Sequence, residues 1–148
     1  MYQIAMLTIM LFLSISYTVL GERSEVNRTQ SLGGDVAATN FLSYRDALIR
    51  YRNANPAATG TIADGVLTWQ TAYVRDARWT NLITGGQLYV YSTTLPPQGM
   101  VDSLYRRTGT TILVGIKQSN GNLWGPGGQL TTSLPVAIPD GAILYMGG

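Results

Sequence analysis

The first hydrophobic feature of the chain is a run from Tyr2 to Leu20, 19 residues that contain no charged side chain. At 1.5 Å per residue, a helix of that length covers roughly 28 Å, close to the thickness of the hydrocarbon core of a bilayer. A helix on the surface of a globular protein would keep a charged or strongly polar side, and this run has none. The pattern therefore predicts a transmembrane anchor over residues 1–21.

A cleaved signal peptide is the alternative interpretation of this run. Such peptides carry a basic region before a shorter apolar stretch, whereas here no Lys or Arg precedes the run. Val19-Leu20-Gly21 would nevertheless be an acceptable small-residue cleavage site, so release after Gly21 stays open. The bases nearest the run, Arg23 and Arg28, follow it, which on the positive-inside rule weakly favours a cytoplasmic location for the rest of the chain.

The next regular pattern has the period of an amphipathic helix. Asp35 stands at a position typical of an N-cap, and apolar residues then recur at helical spacing over Val36–Ala54. Asp46 and Arg50 are spaced for an i,i+4 ion pair, and Pro56 disfavours continuation of the helix. One face is predicted to pack on a sheet; its members are Ala37, Phe41, Tyr44, Leu48 and Tyr51, widened by Ala38, Leu42 and Ile49.

Beyond Pro56 the spacing of apolar residues changes to the two-residue period of β-strands. The stretch Val66–Trp79 fits a strand, a turn or a helical piece equally well and is best treated as mostly coil. Gln87–Ser92 alternates cleanly and predicts a strand that begins after a Gly-Gly pair. Met100–Arg107 has the composition of one or two helical turns.

The C-terminal third predicts a hairpin and a final strand. Thr110–Gln118 alternates, and Asn120-Gly121 is the pair preferred by a type I′ turn, which would join this strand to Asn122–Trp124. The Gly-Pro-Gly-Gly stretch 125–128 should break the returning strand. A last strand is predicted over Ala142–Met146, after a Pro-Asp-Gly turn.

Together these patterns divide the chain into three parts. Residues 1–21 form the predicted anchor, residues 22–34 a polar juxtamembrane linker that ends in a glycine pair, and residues 35–148 a globular domain. The predicted fold class is α+β: a single N-terminal transmembrane helix, then an amphipathic helix packed on a mainly antiparallel β-sheet.

Composition excludes several kinds of chemistry and indicates no other. The chain has no Cys and no His, which removes disulfides, thiol nucleophiles, the usual zinc ligands and the ordinary proton shuttle. Its single lysine, Lys117, is expected near a hairpin end as a solvated edge charge. A net charge of +2, scattered along the chain, does not suit a nucleic-acid groove. No catalytic residue, metal site, cofactor or small-molecule ligand is predicted.

Several segments together resemble the PilM family, which is encoded with the thin, type IV pili of conjugative plasmids. The resemblance lies in the apolar N-terminal run and in four later motifs: Phe41-Leu42-x-Tyr44 to Tyr51-x-x-Ala54-Asn55-Pro56, Gly86-x-x-Tyr89-Val90-Tyr91, Val114-Gly115-Ile116-Lys117, and Leu134-Pro135-x-x-Ile138-Pro139-x-Gly141. It implies a non-enzymatic inner-membrane component of pilus assembly, in the basal body or pilin transport apparatus. It also implies a periplasmic domain, which overrides the weak charge cue, and partners among other pilus assembly proteins or pilin.

The layout is also similar to that of type IV pilins, so a minor pilin-like subunit is an alternative. A prepilin, however, has a basic leader before its apolar segment and an acidic residue inside it, and this chain has neither. If the domain acts by contact, aromatic and arginine side chains are the first candidates for its interaction surface, because such residues dominate interface energetics. The candidates are Trp69, Trp79, Tyr89, Tyr91, Arg106 and Arg107, with the aromatic members alternatively explained as core.

Overall fold

The computed structural model describes residues 32–70 and 72–147, so the predicted anchor and residues 22–31 of the predicted linker lie outside it. The first described element, α1 (residues 32–54), is already helical at residue 32. Asp35 is therefore a residue within the helix, and its predicted role as N-cap is wrong. Within the described ranges no helix is both long and apolar enough to cross a membrane.

The helical stripe predicted from the sequence is confirmed as the buried face of α1. Phe41, Tyr44 and Leu48 are fully buried, and the small residues Ala37 and Ala38 bring the helix close to the sheet. Removing each large side chain from water stabilises the fold by about 1.5–3 kcal/mol before conformational entropy is counted. Partly buried Leu42, Ile49 and Tyr51 pack along the margin of the same core.

The ion pair predicted within α1 has a different partner. Arg45, not Arg50, pairs with Asp46, with 2.7 Å between Nη2 and Oδ1. The Arg50 guanidinium instead donates to the carbonyl oxygen of Thr68, 3.1 Å away. Arg50 is thereby used to hold the segment that follows the helix.

The sheet contains six strands in the described part of the chain, all paired antiparallel in the order β1-β2-β6-β3-β4-β5. One short 3₁₀ turn, Asp64–Val66, precedes them. The strand that comes last along the chain, β6, lies between β2 and β3 near the middle of the sheet. The bounds are β1 (Trp79–Thr84), β2 (Gln87–Ser92), β3 (Val114–Lys117), β4 (Leu123–Gly125), β5 (Gly128–Leu130) and β6 (Ile143–Met146), with α2 (Met100–Arg107) between β2 and β3.

Of the first hairpin, formed by β1 and β2, the sequence predicted only the second strand. The predicted strand Gln87–Ser92 is confirmed as β2, and the short helix over Met100–Arg107 is confirmed as α2. The strand that pairs with β2, β1, was not predicted; the stretch treated as coil ends where β1 begins, at Trp79. Gly85 and Gly86 join the two strands with φ angles of 57° and 73°, a conformation that favours glycine.

The second hairpin forms at the predicted place with a different turn. Lys117 pairs with Leu123, as predicted, but β3 is limited to four residues. Gly121 has a φ of 80° while Asn120 does not enter the positive-φ region, so a type I′ turn is wrong. The amide of Gly121 donates to the Gln118 carbonyl, and the amide of Gln118 donates to the Asn122 carbonyl. These bonds define a three-residue loop with a left-handed glycine at its end.

The glycine-rich stretch after β4 forms another hairpin. The return strand ends at Gly125, so the predicted break at 125–128 is confirmed, but the chain then turns and forms β5, a strand that was not predicted, in which Gly128 pairs with Gly125. The backbones of β3 and β4 approach each other closely here, because a Cβ on Gly115 would lie 2.5 Å from the carbonyl oxygen of Trp124. The absence of side chains at these glycines permits the close pairing.

The two faces of the sheet are covered by different parts of the chain. α1 and α2 cover one face, over Leu88, Val90 and Ile143. The connection between β5 and β6 covers the other, where Leu134 and Ile138 pack in a second buried cluster. The predicted final strand is confirmed in this central position, beginning at Ile143.

Lys117 is not the solvated edge charge that the sequence suggested. Its side chain is 8% exposed, and Nζ lies 2.9 Å from Oδ1 of Asp140. The same Nζ donates to the carbonyl oxygen of Ile138 at 2.6 Å. The ammonium group therefore fixes the connection between β5 and β6 against the sheet, and burial of its charge is offset by a carboxylate and a carbonyl.

Candidate interaction surface

Two asparagines attach the irregular segment between α1 and β1 to the rest of the fold. Asn40 on α1 accepts at Oδ1 from the indole Nε1 of Trp79, 2.9 Å away, and donates from Nδ2 to the carbonyl of Val74. Asn81 on β1 is fully buried, accepts at Oδ1 from the amide of Ile62, 2.8 Å away, and donates from Nδ2 to the Ile62 carbonyl and to the Tyr44 hydroxyl. Buried polar groups persist in a core when they are bonded in this way, so the segment has a fixed position.

Trp69, the first of the predicted contact residues, is part of an aromatic stack on this segment. Its ring lies 6.0 Å from that of Tyr44 and 5.1 Å from that of Tyr73, both nearly parallel. Burial raises the pKa of the Tyr73 hydroxyl well above its ordinary value, and the nearby Tyr44 raises it further. The stacking and a hydrogen bond from the Tyr73 hydroxyl to Asn40 Oδ1, 3.1 Å away, hold the loop against α1, and Trp69 is left only partly exposed.

Three other predicted contact residues are buried. Trp79 lies beneath α1, with its ring edge against Phe41 at 5.3 Å between centroids. Tyr89 and Tyr91 point to the opposite face of β2, within the cluster that contains Leu134 and Ile138. Burial also raises the pKa of the Tyr91 hydroxyl. The structure therefore places these three aromatic residues in the core of the domain, which is the alternative that the sequence left open.

Arg106 and Arg107, the remaining predicted residues, are exposed at the C-terminal end of α2. Arg106 lies 3.9 Å from Asp35 of α1, and Arg107 Nε donates to the Ser103 hydroxyl at 3.3 Å. The Ser103 hydroxyl in turn donates to the Asp35 carboxylate. This network joins the end of α2 to the first turns of α1 and places both arginines beside the point where residues 1–31 join the domain.

The sequence did not indicate an apolar groove that lies between the first turn of α2 and strands β3 and β4. Ile116, Trp124 and Gly125 form its floor, and the loop 95–99 forms one wall. Its volume is about 730 Å³, and it is lined mainly by apolar groups. Trp124 is 56% exposed although it stands in the middle of a strand. A large aromatic side chain left accessible in an apolar depression is a common feature of interaction sites.

The groove adjoins an open edge of the sheet. β5 is the last strand in the order, and in the described residues its strand partner is β4 alone. The opposite edge, β1, is partly covered because Gly60 exchanges two backbone hydrogen bonds with Ile83. An uncovered edge strand offers N–H and C=O groups to an extended peptide. The groove and this edge together form the best candidate contact surface.

The sequence did not identify Trp124 as a candidate contact residue, because β4 is too short for the alternation of apolar and polar residues to show which face each side chain occupies. The sequence predicted a return strand over Asn122–Trp124, but Leu123 and Trp124 are both apolar and point to opposite faces. Either residue could have been the buried one. Across the described residues, no three acidic side chains lie close enough to hold a metal ion together.

The fold and surface together define a class of protein: a small α+β domain with two helices on one face of a six-stranded antiparallel sheet. A protein named PilM from Escherichia coli B7A has a similar crystal structure, with a TM-score of 0.59 and 24% identity over 79% of this chain and 93% of that one. The PilM family model matches residues 8–146. The chain therefore belongs to the PilM family, as the sequence resemblance indicated.

A second crystal structure, of a PilM protein from Pseudomonas aeruginosa 2192, is 32% identical over 77% of this chain and 95% of that one, with a TM-score of 0.46. No curated protein matches this chain. Membership of the PilM family implies a component of pilus biogenesis.

Proposed function

We propose that this protein is a membrane-anchored, non-enzymatic component of type IV pilus assembly, which acts by protein contact in the basal body or the pilin transport apparatus. The observation that carries the proposal is the family match over residues 8–146, since it includes most of the charge-free run together with nearly all of the described domain. Residues 2–20 span the inner membrane on this proposal. The domain lies in the periplasm, where pilus subunits are assembled.

The groove beside β5 is the proposed contact surface. Its occupant is an extended, apolar segment of pilin or of another assembly protein, which adds to the β5 edge through main-chain hydrogen bonds. Trp124 supplies the aromatic anchor and Leu95, also strongly exposed, supplies part of the wall. The interaction requires no cofactor, nucleic acid or small-molecule ligand.

Fractionation combined with intact-mass measurement tests the anchor. The proposal expects the native protein in the inner membrane with residues 2–20 still present, and a reporter fused at its C-terminus should be active only in the periplasm. A mass that corresponds to a chain starting at Glu22 would instead identify a released module. Recovery of the protein in sheared filaments would identify a minor pilin.

Substitution of Trp124 tests the contact surface. Trp124→Ser removes the aromatic anchor, and loss of such a side chain weakens binding by about 2 kcal/mol or more, roughly thirtyfold. We expect cells that carry this variant to show far fewer surface pili by electron microscopy, with normal amounts of the variant protein. Val136→Ser is the matched control, because Val136 is 96% exposed and lies on the opposite face of the sheet. Equal pilus numbers in the two strains would contradict a role for the groove.

A further inference from the structure

A second exposed apolar surface lies at the N-terminal end of α1. Leu32 and Val36, one turn apart on α1, are 64% and 71% exposed, and Val74 is 80% exposed. Val74 is held beside the helix because its carbonyl accepts from Asn40 Nδ2 at 2.8 Å. We call these three residues the N-terminal patch. The groove beside β5 is lined by none of these three residues.

Arginines flank this patch on two sides. Arg78 lines the same shallow depression as Leu32 and Val36. Arg106 and Arg107 approach the first turns of α1 through the network on Asp35. Two carboxylates oppose these arginines, because Asp76 pairs with Arg78 and Asp35 with Arg106, so the surroundings of the patch carry an excess of positive charge.

The patch also lies where the chain enters the domain. Residues 21–31, eleven in number, separate Leu20 from Leu32. Even fully extended, such a connection spans at most about 40 Å. If residues 2–20 are anchored as proposed above, the patch is kept close to the bilayer surface, and this raises the effective concentration of one at the other.

We propose that the N-terminal patch rests on the membrane surface, with its aliphatic side chains at the boundary of headgroups and acyl chains and the flanking arginines against anionic headgroups. This inference rests on the proposed anchoring. A lipid surface suits the patch better than a protein partner, because the patch is aliphatic, is flanked by arginines and lacks a large aromatic anchor. The contact would fix the orientation of the domain, and hence of the groove, relative to the bilayer.

Lipid quenching of a single label tests the contact in the full-length chain. The sequence has no cysteine, so Val36→Cys gives a unique attachment point for a fluorophore, and Val136→Cys gives a matched one on the opposite face. The protein is reconstituted in vesicles of phosphatidylcholine and phosphatidylglycerol that contain brominated lipid. We expect quenching at residue 36 to exceed that at residue 136 several-fold. Equal quenching at the two positions would overturn the proposal.

A charge reversal tests the arginine contribution. Arg107→Glu in the Val36→Cys background should reduce quenching in vesicles that contain phosphatidylglycerol, because an attraction to anionic headgroups becomes a repulsion. Arg52→Glu is the control, since Arg52 lies near the far end of α1 and donates to the Gly86 carbonyl in the β1-β2 turn, not to the segment that carries Val74. The same reduction in both variants would show a dependence on net charge alone and would contradict the assigned orientation.

Alkaline carbonate extraction separates the two proposals. If the chain resists extraction but residue 36 is not quenched, the anchor stands and the patch contact is wrong. If the chain is washed off the vesicles, both are wrong. If residue 36 is shielded only in native membranes that contain the other pilus proteins, a protein covers the patch and the lipid contact is wrong.

Discussion

Asp76 and Arg78 show how a few polar atoms fix the entry to the sheet. Asp76 Oδ1 accepts from the backbone amide of Arg78 at 3.0 Å, and its two carboxylate oxygens also accept from the Arg78 guanidinium. The guanidinium lies 5.0 Å from the centre of the Trp79 ring. The hydrogen bond from the Arg78 side chain lowers the pKa of Asp76 from its ordinary value.

Asp76→Asn should therefore lower the free energy of unfolding near neutral pH, by about 0.5–1 kcal/mol for a partly exposed pair. A folded-state pKa below the unfolded one stabilises the fold above the unfolded pKa, and this stability is lost as the pH falls through the folded pKa. The variant should thus lose less stability on acidification than the parent, measured by urea denaturation across acidic pH. Asp46→Asn is the control, since among the described residues Asp46 pairs with its neighbour Arg45 alone. An unchanged pH profile for Asp76→Asn would contradict the assigned role of this pair.

The helices and β2 were predictable because their burial follows one regular period, and β1 was not because its pattern is broken by a polar residue. Asn81 occupies an inward position of β1, where alternation expects an apolar side chain. It is acceptable there because it bonds the Tyr44 hydroxyl and both backbone groups of Ile62. Partners so distant along the chain cannot be inferred from local spacing.

The candidate surface was less predictable than the fold, for a similar reason. Its floor comes from β3 and β4 and its wall from the loop 95–99, and these segments meet only through the strand order. Tyr89 and Tyr91 were candidates for the interaction surface because aromatic side chains dominate interface energetics. They are buried because the connection between β5 and β6 crosses that face, and nothing in its sequence indicates which face it covers.

The close pairing of β3 with β4 gives a prediction about glycine. Gly115→Ala would place a methyl group against the Trp124 backbone, so one strand must shift. We expect a loss of about 2 kcal/mol in the free energy of unfolding, typical of an overpacked site. Gly65→Ala is the control, because a Cβ there meets nothing within 4 Å. Chemical denaturation compares the two, and equal midpoints would show that the strands are not so closely paired.

The two-layered domain is joined at its centre by β6. This strand pairs with β2 through Val90 and Tyr145 and with β3 through Ile116 and Ile143. Its side chains also enter both buried clusters, Ile143 beneath the helices and Leu144 on the other face. Without β6, the β1-β2 hairpin and the β3-β4-β5 meander would have no common partner in the described sheet.

Removal of residues 142–148 should therefore abolish cooperative unfolding, because the sheet divides and both buried clusters lose a member. Removal of Gly148 alone is the control and should leave the thermal transition in place. Circular dichroism and thermal melting of the full-length and shortened chains provide the measurement. A cooperative melt of the chain that ends at residue 141 would contradict the central role assigned to β6.

The position of β6 has a consequence for how the protein is made. Every other strand of the described sheet leaves the ribosome first, and until β6 is synthesised the hairpin and the meander each present an unpaired edge that can pair with other chains. A chain stalled or clipped before residue 142 is thus left as two unjoined halves. The six-stranded sheet can therefore form only after β6 has been synthesised.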